Sequence, residues 1–113
     1  MYVTSVDKVE EKELKLEGAQ GVKVKYLLNE DVGAKKVQLR LFIIDVGGYT
    51  PLEKHKHEHE VFILQGKAVV RGGGKEVMVK EGDVIFIQSW ELHQIRNVGD
   101  KKLKFLCTKE LFS

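Results

Sequence analysis

The chain is 113 residues long, 42% hydrophobic and 32% charged, with 19 basic and 17 acidic side chains and a formal net charge of +2. That is one domain with a core of its own, and the interspersed, nearly balanced charge excludes nucleic acid as the main partner. No apolar run approaches the ~20 residues of a membrane span, and residues 1–15 lack the apolar stretch of a secretory signal, so the cytoplasm is the expected compartment.

In chain order, residues 1–20 read as an N-terminal extension or edge strand, with room for a turn or two of helix between 6 and 18. Val22, Val24, Tyr26 and Leu28 alternate with Lys23 and Lys25, the pattern of a half-buried strand. Residues 37–46 form a strand that is apolar on both faces from Leu41 to Ile44, expected to be covered by the core and by a second subunit. Gly47 and Gly48 are expected to end it. Strands follow at 61–65 and 67–71, with Gly66 as a bend between them. Gly72, Gly73 and Gly74 supply the positive φ angles of a tight hairpin, and 76–79 is its return strand. Residues 84–87, 93–97 and 103–107 complete the set. Helix is scarce, and many short, evenly spaced strands point to an all-β, antiparallel jelly-roll barrel. The single cysteine, Cys107, has no partner for an internal disulfide and reads as a buried strand thiol with a packing role.

All four histidines lie in two short stretches, His55, His57 and His59 in one and His93 in the other. Imidazole is the commonest biological metal ligand, and residues i, i+2 and i+4 of an extended chain project from one face. A bound divalent metal is therefore the first reading. A solvated strand, an adventitious metal site and a pH switch of clustered imidazoles are the competing ones. His93 and the glycine spacing around it weigh against them.

Gly47 is followed by five residues, Glu53, one residue, His55, three residues, His59, six residues and Gly66. After fifteen further residues stands Gly82, then five residues, Gln88, one residue, Trp90, two residues, His93, three residues and Asn97. This ordered pair of motifs, 47–66 and 82–97, resembles those of the cupin superfamily. The first cupin motif reads Gly, five residues, His-x-His, three or four residues, Glu, six residues, Gly; the second reads Gly, five residues, Pro-x-Gly, two residues, His, three residues, Asn. The resemblance implies one small cupin domain over 1–113, a jelly-roll or double-stranded β-helix, with a metal held inside the barrel by motif-one residues and the motif-two histidine. The chain departs from the pattern in three places. His59 stands at the Glu position and Glu53 at the first His position, while Gln88 and Trp90 replace Pro and Gly, so the turn before His93 is expected to differ locally. His55, His59 and His93 fall on ligand positions. The fourth ligand is Glu53 by spacing or His57 by chemistry, and the sequence leaves both open.

Gly66, Gly82 and Asn97 read as architectural, since glycine permits sharp turns and asparagine tolerates left-handed backbone. Trp90 and Tyr49 are candidates for the pocket mouth, although packing is the more common role for each. Gln88, Gln94 and Arg96 are available polar contacts without an assigned role.

Imidazole and carboxylate donors suit Mn, Fe, Co, Ni, Cu or Zn, and three or four protein ligands leave a position open for chemistry. No phosphate loop, Ser-His-Asp arrangement or Cys-His pair is visible. The expected function is that of a metal-dependent enzyme of dioxygenase, isomerase or lyase type, acting on a small, partly apolar molecule in the barrel. A non-catalytic binding or sensing module and a metal-stabilised structural protein are the alternatives. A homodimer is expected from the two-sided apolar strand and from the resemblance.

Overall fold

The computed structural model describes residues 1–111. Nine strands carry the fold: β1 (Lys12–Glu13), β2 (Gln20–Leu28), β3 (Val37–Tyr49), β4 (His59–Gln65), β5 (Lys67–Gly72), β6 (Lys75–Lys80), β7 (Val84–Ile87), β8 (His93–Asn97) and β9 (Leu103–Glu110). Helix is limited to single 3-10 turns at Val6–Lys8 and Glu30–Val32 among the described residues. The strands pair antiparallel in the order β6-β5-β8-β3-β9-β4-β7, with β2 also on β3 and β1 on β2. This is the all-β barrel that the strand pattern implies.

Alternation decides which side chains enter the barrel. Val22 and Val24 of β2, Phe42 and Ile44 of β3, Val61 and Ile63 of β4, and Leu103, Phe105 and Cys107 of β9 belong to one buried cluster. Ala68, Val70, Val79 and Ile95 close it from β5, β6 and β8. Seven strands thus contribute to a single interior, as a sheet curled on itself requires. Phe42 and Phe105, partners in the β3–β9 register, stack at 5.2 Å between ring centroids.

β3 does not stop at Gly47 and Gly48 but runs on to Tyr49. Gly47 has a φ of +80°, and the β2–β3 register slips between Gln20↔Tyr49 and Val22↔Ile44, so the glycines make a bulge instead of an end. A Cβ on Gly48 would come within 2.6 Å of the Gln20 carbonyl oxygen. Beyond the bulge β3 turns towards β8, with Tyr49 opposite Arg96.

The second apolar face of β3 is covered from within the chain. Leu41 and Ile43 are buried with Leu27, and Val9, Leu39 and Leu106 pack against them. The stretch 41–44 therefore needs no second subunit to leave water. Apolar side chains that do stay exposed include Phe62, Val84 and Phe86, on the outer face of the paired strands β4 and β7. No helix among the described residues is long and apolar enough to cross a membrane.

Asn97 is also not where glycine-like backbone freedom is needed: it lies in extended β8, outside the positive-φ positions. Its buried amide Nδ2 donates to the carbonyls of Ile44 and Lys101, both at 3.0 Å, and its Oδ1 accepts from Gly99 N at 2.9 Å. It ties β3, β8 and the β8–β9 turn together.

Candidate metal centre

The three clustered histidines do not share one strand. Only His59 lies in β4; His55 and His57 precede it in an irregular segment. Along a strand, residues i and i+2 are about 7 Å apart and i and i+4 about 13 Å, too far for three rings to meet. The bend brings them together: ring centroids are 4.4 Å apart for His55–His57, 4.6 Å for His57–His59 and 5.4 Å for His55–His59.

Main-chain bonds hold the bend against the start of β8. Glu53 and His93 exchange a pair of backbone hydrogen bonds at 3.1 and 2.9 Å, and Trp90 N donates to the His55 carbonyl at 2.7 Å. The Ser89 hydroxyl donates to the Lys56 carbonyl. His93 is thereby set 5.2 Å from His55 and 5.3 Å from His59, centroid to centroid. One ligating atom each from His55, His59 and His93 fits within 4.8 Å of the others, close enough to share a metal ion.

The turn before His93 uses the backbone of a glycine without having one. Trp90 adopts a φ of +64°, the only non-glycine residue with positive φ among the described residues. Its side chain is 61% exposed, and neither it nor Tyr49 lines the cavity described below. Gln88, Gln94 and Arg96 are likewise outside that lining, and Gln94 spends its amide on the Thr50 carbonyl.

Two further features fit a metal. His93 Nδ1–H donates to the Glu91 carbonyl at 2.8 Å, which leaves its other nitrogen with a free lone pair. His59 is 6% exposed, and its Nε2 is buried with no hydrogen-bond partner among the described residues. A buried, unsatisfied ring nitrogen costs about 1–3 kcal/mol, and a bound cation would satisfy it. On its other side, His59 Nδ1 lies 3.4 Å from both Cys107 Sγ and Arg40 Nη2. Arginine can only donate, so His59 Nδ1–H must find its acceptor in the Cys107 sulfur if Nε2 is to face a metal.

Glu53 and His57, the two readings for a fourth ligand, stand differently. Glu53 Oε1 is 3.1 Å from His55 Nε2, so its carboxylate engages a clustered histidine. His57 is 8% exposed and stacks on His55. The imidazoles of His55, His57 and His59 are electrostatically prepared to stay neutral. Burial, then Arg40, lowers His59 to about 3; burial, then Lys109, lowers His57 to about 4; burial also lowers His55, against the opposing pull of Glu53. Neutral imidazole is the form that binds metal.

The cluster opens on a cavity of about 410 Å³ lined by Leu14, Leu16, Tyr26, Phe42, Ile95 and Phe105, among others, and by Arg40, Cys107 and Lys109. Sequence reading missed the last three as site residues. Their place depends on register: Arg40 pairs with Cys107 across β3–β9, and Lys109 with His59 across β9–β4.

The cupin domain family profile matches residues 40–109 of the chain. An oxalate-binding protein of Thermotoga maritima is 35% identical over 109 residues, covering 94% of this chain and 90% of that protein. The 1-methylthio-D-xylulose 5-phosphate methylsulfurylase of Rhodospirillum rubrum is 39% identical over 70 residues; that match takes in 62% of this chain and 45% of the enzyme, less than half its length. Among solved structures, the polyketide cyclase RemF of Streptomyces resistomycificus matches with a TM-score of 0.90 at 25% identity, covering 97% of this chain and 79% of that one. With the barrel, the two spaced motifs and the profile match in agreement, the chain belongs to the cupin family.

Proposed function

We propose that this cupin is a metal-dependent enzyme acting on a small organic molecule, with His55, His59, His93 and His57 holding one divalent transition metal (Mn, Fe, Co, Ni, Cu or Zn). Glu53 is the alternative to His57 as the fourth ligand. The observation that carries the reading is the convergence of three histidine donors around a buried, unpartnered His59 Nε2. When bound, such a metal can polarise a carbonyl, activate water or bind oxygen, which covers isomerase, lyase and dioxygenase chemistry.

The chain's own residues do the rest. The Glu91 carbonyl fixes the ring of His93, and Glu53 accepts from His55 if that nitrogen carries the proton. Phe42, Phe105 and Ile95 give the cavity a dry wall, which excludes water and strengthens polar contacts within it. A homodimer is part of the proposal, formed through the outer face that carries Phe62, Val84 and Phe86 rather than through Leu41 and Ile43.

A second reading, a binding module without turnover, draws support from the Thermotoga relative, a protein named for binding oxalate and aligned over nearly the whole chain. The test incubates metal-loaded protein with a pool of small metabolites and follows both capture and consumption by mass spectrometry. A compound consumed only in the presence of metal supports the enzyme. A compound that is held but recovered unchanged supports the binding module.

A further inference from the structure

Two cations, Arg40 and Lys109, face the same cavity as the histidine cluster, and neither has a carboxylate in salt-bridge contact among the described residues. Both line it, and among the described residues the one acidic residue in the lining is Glu53, which is occupied with His55. Arg40 instead donates to Cys107 Sγ at 3.3 Å, approaches His59 Nδ1 and lies over the Phe42 ring at 4.8 Å. Its Nε is buried without a partner among the described residues.

Register explains why the two charges meet. β9 lies between β3 and β4, and its inward residues alternate Leu103, Phe105, Cys107, Lys109. Arg40 stands opposite Cys107, and Lys109 opposite both Gln38 and His59. The cations are therefore one inward position apart on adjacent strands, against an apolar floor. Like charges in such a place repel. A domain keeps a part-buried cation pair without salt-bridge partners at a cost in stability. The cost is recovered when an anion enters, and a cleft with low-dielectric walls concentrates that attraction.

We propose that Arg40 and Lys109 form an acid-recognition pair, so that the ligand of this cavity is a small organic carboxylate bound between that pair and the metal centre. The proposal rests on the metal reading above and adds the ligand's charge class and the residues that select it. The planar guanidinium suits a carboxylate, to which it offers two parallel N–H donors. The aliphatic and aromatic wall takes the rest of the molecule. At about 410 Å³ the cavity lies towards the small end of those that hold organic ligands, which sets the size of the acid. A neutral molecule of the same shape would leave both cations unpaired, and that is the basis of selection.

The test uses malonate and benzoate as acid probes, with malonamide and benzamide as neutral counterparts. Each is titrated calorimetrically into metal-loaded and metal-free protein, with metal content measured by elemental mass spectrometry. The metal-loaded protein is expected to bind at least one acid, and its amide at least about tenfold more weakly. Lys109→Gln is expected to weaken the acid about tenfold with metal content unchanged, and Lys109→Glu to abolish binding. Arg40→Gln provides a second variant at the other cation, with the same direction expected. Amides that bind as well as acids would overturn the proposal, as would a Lys109→Gln variant that binds acid like the parent. So would metal-loaded protein that binds neither acid. A protein that takes up no metal yet binds acid through Lys109 would refute the metal reading while upholding the acid pair. Metal uptake without acid binding would do the reverse.

Discussion

The sulfur of Cys107 lies 3.4 Å from His59 Nδ1, across the β4–β9 boundary and 48 residues away in sequence. This contact, and not packing alone, gives the single cysteine its place. Burial pushes its thiol up from the ordinary range, so it stays protonated and serves as a soft acceptor. Its hydrogen can be given to the Thr108 carbonyl at 3.5 Å.

It follows that Cys107→Val, which keeps the volume but removes the acceptor, should weaken metal binding by about 10–100-fold, the usual cost of losing a partner behind a ligating histidine. Cys107→Ser should retain most of the affinity. Competition with a chromophoric chelator measures both. An unchanged metal affinity in the valine variant would mean that His59 is oriented by something else.

The lowered histidines also set the pH dependence of the metal-free fold. His57 and His59 take up protons only near pH 4 and pH 3 in the folded chain, whereas an unfolded histidine does so near about 6.5. Between those values the unfolded chain binds more protons, so stability is full above about 6.5 and falls as the pH drops through that window. Chelator-treated protein should therefore unfold at lower denaturant concentration at about pH 5 than at about pH 7.5. Equal midpoints would contradict the assignment of these rings as buried and neutral.

Asn97 offers a test of the scaffold apart from the metal. Asn97→Ala removes two donated bonds and one accepted bond and leaves the Ile44 and Lys101 carbonyls short of a partner. The expected loss is roughly 2–4 kcal/mol, read as a lower denaturation midpoint with the slope unchanged. A loss under about 0.5 kcal/mol would show that solvent replaces these bonds freely.

Much of this was legible in the residues themselves. The alternation of Val22 and Val24 with lysines shows which of those side chains enter the barrel before any pairing is known. The all-apolar run 61–64 does not, and only the folded sheet buries Val61 and Ile63 while leaving Phe62 and Leu64 outside. The glycine spacing picks out His93 as the distant partner of His55 and His59. Local pattern failed where geometry is not local. The alternating His, Lys and Glu run looks like a strand, yet a strand would spread its rings too widely, and the chain bends. Arg40 and Cys107 are 67 residues apart, and only the β3–β9 register makes them neighbours. Tyr49 and Trp90 looked suited to a pocket mouth from their size and position, but the bulge and the left-handed turn carry them away from the cavity.

The central claim is that His55, His59 and His93 hold a metal, and metal content tests it most directly. Untagged protein should carry close to about one equivalent of a divalent transition metal by elemental mass spectrometry, and the His93→Ala variant should lose it while keeping the parent's far-ultraviolet circular dichroism. Less than about one tenth of an equivalent in the parent, with no uptake when Mn, Fe, Co, Ni, Cu or Zn is supplied, would contradict the account.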